Sequence, residues 1–345
     1  MNIKKILLSI LGIAIVLAGI FAIVKASEDN KQKSDKLQVV VSNFASYDFL
    51  RAIIGDNNEV ELTFLLGPGK DSHSYEPTAS DLVKIQNADL FVYVGGEMEK
   101  WSDKVLESLD TKDNKVICIA DYVDKMDEEE VDGAEEEEHH HEHEDEDEHH
   151  EEGEEHEHHE DGEEHEEGAF DEHIWTSPAN AIKMVESLEK AMEEIDNSKA
   201  EQYKTNAESY IAKIKEVDEK IQEIVDNKKR DRLIFADKMP MQYFINYYKL
   251  NVSAAFSGCS TEVDPSAKTI AYLENKIKEE KIPVVLYIEL NNGKVAKTIA
   301  NEIGNGTVAM QIQTLHNVSL DDFNNKETWV SLMSRNLEVL KKALQ

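Results

Sequence analysis

LQVVVSNFASYDFLRAIIG, residues 37–55, holds one full unit of the fold. Its first half, LQVVVSN, is a short apolar run rich in valine, without alternating polar residues. Such a run fits a strand buried on both faces, as in a parallel sheet covered by helices. Its second half, SYDFLRAIIG, spaces Phe49, Leu50, Ile53 and Ile54 along one helical stripe and stops at a glycine. The same alternation continues downstream. VELTFLL reads as a strand and is followed by the loop GPGKDSHSYEP. SDLVKIQNA reads as a helix, DLFVYVG as a strand, EMEKWSDKVLESL as a helix and KVICIAD as a strand. Residues 37–126 are therefore expected to form an α/β lobe with a parallel sheet.

A second lobe is expected over 228–345. RLIFAD, MQYFINYYKL and VSAAFSG read as strand, helix and strand. DPSAKTIAYLENKIKEEK reads as a helix with Asp264 placed to cap it and Pro265 in its first turn. PVVLYIEL, KVAKTIANEIG and TVAMQIQTL follow as strand, helix, strand, and ETWVSLMSRNLEVLKKAL closes the chain as an amphipathic helix. Residues 171–227 link the lobes. Their apolar residues recur at helical spacing, with a break near Asp196-Asn197-Ser198 that splits them into two helices, the second long. The fold class is α/β: two β/α lobes with parallel sheets, joined by a long helix that is stiffer than a loop hinge.

Charge is concentrated in one insert. The chain carries a net charge of −35, and 28 acidic residues lie between Asp127 and Glu172 with no Lys or Arg among them, which leaves only −7 for the remainder. Ten of the 13 histidines lie between His139 and His165. A segment this charged cannot bury enough apolar surface to offset its ordering entropy, so residues 127–170 are expected to be a disordered loop. The negative charge excludes nucleic acid as a partner and attracts cations. Acid alone favours Ca²⁺ or Mg²⁺, whereas interleaved imidazoles suit Zn²⁺, Ni²⁺ or Cu²⁺.

At the N-terminus, basic MNIKK precedes an unbroken apolar run from Ile6 to Val24. Residues 1–26 read as a signal peptide or an N-terminal membrane anchor and 27–36 as a polar tether, which puts the lobes on the outer side of the membrane. No cysteine follows the run to carry a lipid. Cys118 and Cys259 are the only cysteines. Cys118 sits in an apolar strand, and a disulfide between the two would have to join separate lobes, so none is expected.

Three histidines lie outside the insert: His73, His173 and His316. In open α/β sheets, ligands bind beyond the carboxyl ends of the strands. His73 follows strand VELTFLL, Asp237 ends RLIFAD, Glu289 ends PVVLYIEL and His316 follows TVAMQIQTL, so all four could face one cleft. His173, just after the insert, falls near the same edge.

HSYEPTASDL, from His73 to Leu82, resembles the first metal-ligand motif of the zinc and manganese solute-binding proteins of ABC transporters, the cluster A-I or cluster 9 group. DEHIWTSPAN, around His173, resembles their second ligand motif, and DPSAKTIAYLENKIKEEKIPVVLYIE resembles the helix and strand of their second lobe. The resemblance runs over roughly 37–345, apart from the insert. It implies one metal buried between two rigidly joined lobes, with His73 and His173 as ligands and His316 in the place of the family's usual aspartate. It also implies an ABC permease and its ATPase as partners, a monomeric receptor, and no enzymatic activity. One position departs from the pattern: Lys238 stands where the family has a ligating side chain. Asp237 is the expected substitute, with helix capping as its other role. Glu289 and Cys259 are the alternative ligands, Glu289 being favoured as an ion-pair partner of Lys238. Three imidazoles with one carboxylate suit Zn²⁺, with Glu76, Asp81 or Glu172 available to orient the rings. The acidic histidine loop is then an accessory that gathers zinc. The alternatives are a surface metal buffer or adhesin with a degenerate cleft, or a receptor for Mn²⁺ or Ni²⁺.

Overall fold

The computed structural model describes residues 36–109, 114–134, 170–258 and 264–345. The N-terminal apolar run, Cys259 and most of the acidic histidine loop lie outside the described residues. Among those described, no helix is long and apolar enough to cross a membrane.

Two four-stranded parallel sheets form the frame. In the first, β1 (Leu37–Val41), β2 (Val60–Phe64), β3 (Leu90–Tyr93) and β4 (Lys115–Cys118) lie in the order β2-β1-β3-β4. In the second, β5 (Arg232–Met239), β6 (Asn251–Ser257), β7 (Val284–Ile288) and β8 (Val308–Ile312) lie in the order β6-β5-β7-β8. The chain winds one way from the first strand of each sheet and then reverses, which opens a crevice between β1 and β3 and another between β5 and β7.

Helices α1 (Phe44–Ile54), α2 (Ala79–Gln86) and α3 (Trp101–Ser108) belong to the first lobe. The linker is α4 (Pro178–Ile195) and α5 (Ala200–Asp226), broken at 196–199 as the sequence indicates. The second lobe adds α6 (Gln242–Tyr248), α7 (Ala267–Glu280), α8 (Lys294–Ile303), the short α9 (Leu320–Asn324) and α10 (Trp329–Leu344). Two local expectations change. The cap of α7 is Ser266, whose hydroxyl accepts from Thr269 N, and not Asp264. Pro265 accordingly precedes the cap and does not lie in the first turn. Cys118 closes β4 as expected, and its thiol donates to Val94 O.

The stiffness of the joint has a packing cause. Helix α5 buries Tyr203, Ala207, Tyr210, Ile214, Val217, Ile221 and Val225 on one stripe, against α1 and α4 of one side and α10 of the other. One hydrophobic core therefore runs through both lobes, from Val39 and Phe49 through Trp175 and Trp329 to Phe235 and Leu286. Buried Asp48 of α1 adds a polar tie. It accepts from Tyr210 of α5 and from the first backbone N–H of α10, Trp329, and it pairs with Arg51. A two-lobed chain with a common core cannot hinge without opening that core.

The acidic insert begins later than its composition suggests. Residues 127–134 are ordered along the second lobe. Asp132 bridges Ser253 in parallel and its carbonyl accepts from Ala254 N, which covers the open edge of β6. The Asp132 carboxylate meets Arg232, Ser253, Tyr272 and Lys276, and Gln242 bonds both Glu129 N and Asp127 O. At its other end this strap touches the His173 loop, through Asp127–Phe170 and Asp171 N to Met126 O. Charge counting missed this because the paired groups are backbone and one carboxylate facing two cations. Gly133 lies flat on Tyr272 with φ +88°, and a Cβ there would come within 2.4 Å of the ring. Gly133→Ala should therefore lift the strap at a cost of about 1–3 kcal/mol. Faster limited proteolysis between 126 and 134 would show it; an unchanged cleavage rate would contradict it.

Candidate metal centre

Three loops build the site. The first leaves β2 and carries His73. Gly69 N donates to Val318 O, and Asn317 donates to Gly67 O and Lys70 O, so this first-lobe loop is sewn to the His316 loop across the cleft. The second carries His173 in a turn before α4. Trp175 follows, buried, and its indole N–H donates to Thr314 O, while Trp329 donates to Trp175 O. The third leaves β8 and carries His316. The loops are thus tied together largely by hydrogen bonds that end on backbone carbonyls.

The result is convergence. His73, His173 and His316 each offer a ligand atom, all within 4.8 Å of one another, and they are the one such group of three or more among the described residues. Ring centroids of His316 lie 5.5 Å from His73 and 5.4 Å from His173. His173 and His316 are buried and His73 is half-buried. His173 Nδ1 donates to Asp171 Oδ1 at 2.9 Å, which fixes the tautomer and puts the ring's lone pair on Nε2. The same oxygen accepts His173 N, so the carboxylate orients ring and backbone together. His316 Nε2 pairs with Ser72 Oγ at 2.7 Å.

Of the four expected ligands, the structure assembles three. Asp237 stands apart from the group. It sits at a register shift in β5, where its carboxylate accepts Lys238 N at 2.9 Å and Ile288 N at 3.3 Å. The shift lies in the β5–β6 pairing, and through Ile288 N the Asp237 carboxylate reaches β7 beyond the Phe235–Leu286 pair. Asp237 does not cap α6 either, since that helix has Met241 at its N-cap. Glu289 is neither ligand nor partner of Lys238: its oxygens accept from Thr314 and His316. The orienting acid is Asp171. Asp81 closes a capping box on α2 with Thr78, and Glu172 accepts Met98 N. Asp171 and Ser72 went unread in the sequence, although each lies within two residues of a candidate ligand, and Trp175 was read only as part of the DEHIWTSPAN motif.

Burial, with the neighbouring His173, His73 and Lys238, holds the His316 imidazole well below its ordinary range, so the ring is neutral and its lone pair available. The folded value lies below the unfolded one of about 6.5, so the stability tied to the neutral ring is complete above that pH and is lost as pH falls below it. Metal-free protein should weaken progressively as pH falls below about 6.5 in denaturant melts, and His316→Gln should flatten that slope. An equal slope in the variant would contradict the assignment. Burial also raises the Asp237 and Glu289 carboxyls above their usual range.

Residues 39–343 match the model of a family described as ZnuA, zinc-uptake complex component A, periplasmic. The chain belongs to the ZnuA family. Among ZnuA relatives, the "Zinc-binding lipoprotein AdcA" of Streptococcus pneumoniae is 32% identical over 331 residues, 96% of this chain and 60% of that protein. This chain therefore spans about three-fifths of the length of that relative. The "High-affinity zinc uptake system protein ZnuA" of Bacillus subtilis is 32% identical over 320 residues, 93% of this chain and 91% of that one. The Zn(II)-bound ZnuA-like domain of S. pneumoniae AdcA has a similar structure, with a TM-score of 0.68 at 28% identity, covering 90% of this chain and 99% of that domain. The lipoprotein YcdH of B. subtilis aligns with a TM-score of 0.70 at 26% identity, covering 90% and 99%.

Proposed function

We propose that this chain is an extracytoplasmic receptor that captures Zn²⁺ between its lobes and hands it to an ABC permease driven by an ATPase. The observation that carries this is the three-histidine group, with ligand atoms within 4.8 Å and one ring oriented by a buried carboxylate. Neutral imidazoles favour Zn²⁺ over Mn²⁺, which prefers more oxygen. His73, His173 and His316 are the ligands. Two buried carboxylates stand behind the rings: Asp171 accepts from His173, and Glu289 accepts from the His316 backbone.

The further parts follow from the sequence. Residues 1–26 direct or anchor the chain at the outer face of the membrane, and 27–36 are the tether. The lobes act as a monomer. The acidic histidine loop gathers zinc near the cleft.

The test is growth. Cells lacking this receptor should fail in zinc-depleted medium and recover with the wild-type chain but not with His73→Ala. Rescue that is independent of the permease, or that follows manganese and not zinc, would contradict the reading.

A further inference from the structure

We infer that Glu289 is the positioning residue for His316, a role that rests on the receptor reading above. It sits just past β7, beside the crevice where the winding of the second sheet reverses, and is buried. Its Oε2 accepts Thr314 N at 2.7 Å, and its Oε1 accepts Thr314 Oγ1 at 2.8 Å and His316 N at 2.9 Å. One carboxylate therefore gathers two backbone N–H groups and a hydroxyl from a single turn.

Leu315, between the two N–H donors, is held at φ +57°. That left-handed conformation is disfavoured for a residue with a Cβ. It points the N–H groups of 314 and 316 to one side, into a concave anion-binding turn. The anion is built in: it is Glu289. On the opposite side, Thr314 O is taken by the Trp175 indole, and Leu315 is itself buried. The backbone of His316 is thus fixed before any metal arrives. Ser72 then sets the ring, through Nε2. A direct ligand role for Glu289 is disfavoured because both its oxygens are engaged with this turn.

Glu289→Gln keeps the shape but turns an NH₂ group towards backbone donors, so it should release the turn. The experiment uses the full chain and compares wild type, Glu289→Gln and the milder Thr314→Val. Zinc affinity is measured by competition with a tight chelator, which silences the loop, and Co²⁺ absorption spectra are recorded in parallel. In metal-free protein, the ¹³Cα and ¹³Cβ shifts of Leu315 report its backbone conformation. Glu289→Gln should lose about 10–100-fold in zinc affinity, as expected for a group that orients a ligand. Its cobalt spectrum should change and the Leu315 shifts should leave the left-handed range. Thr314→Val should change each readout in the same direction by less. Wild-type affinity, cobalt spectrum and Leu315 shifts in Glu289→Gln would overturn the inference, even with a lower melting temperature. Absence of tight binding in wild type would instead overturn the receptor reading, and the Leu315 shifts would still decide the role of Glu289.

Discussion

His173→Ala should abolish tight zinc binding, with a larger loss than the 10–100-fold that removal of an orienting group typically causes. His173 is the most enclosed of the three proposed ligands, and its Nδ1 is committed to Asp171. Without the ring, two imidazoles remain for an ion that takes four ligands. Asp171 is then left buried without its ring partner, which adds a folding cost. The variant to set beside it is Asp171→Asn, which keeps the shape and should lose only the smaller, orienting share. Chelator competition separates the two: equal affinities for His173→Ala and wild type would remove this histidine from the site.

Trp175→Ala should be the most damaging single change to stability, by about 3–5 kcal/mol. The indole is buried in the core common to both lobes; its ring N–H serves the His316 loop, and the residue's backbone carbonyl serves Trp329 at the start of α10. Truncation leaves a cavity and an unpaired Thr314 O behind the His316 turn. Stability and metal affinity should therefore fall together. Trp175→Phe should recover most of the packing but not the bond to Thr314, so its deficit should weigh more on affinity than on melting. Denaturant melts with and without zinc would show whether the two losses are linked. A stability loss under about 1 kcal/mol for the alanine variant would refute this account of the core.

Much of the architecture was legible in the chain because its elements are strongly patterned. Valine-rich β1, the stripe of α5 and the break at Asp196–Ser198 each follow from local periodicity. The three outlying histidines could be found because strand ends mark ligand sites in parallel sheets. Other parts depended on contacts between distant segments. Asp237 looks like a ligand in FADKMP, yet a register shift turns it to the backbone of Ile288. Glu289 and Asp171 differ little in local sequence from Glu172 or Asp81, and only the turns they face distinguish them. The strap at 127–134 was hidden by its charge, since composition reports solvation but not the edge of β6 waiting beside it. The cap of α7 was missed by two residues, a choice between Asp264 and Ser266 that the local geometry makes and the residue types do not.

The measurement that bears most directly on the central claim is a calorimetric zinc titration of a variant lacking 135–169, run beside the full chain. Phe170 pairs with Asp127 at one end of the strap while the cut leaves from residue 134 at the other, so a glycine-rich linker of about eight residues or more replaces the loop. The account predicts one tight site in both proteins, with the additional, weaker binding confined to the full chain. Loss of the tight site on removal of the loop, with His73, His173 and His316 untouched, would contradict it.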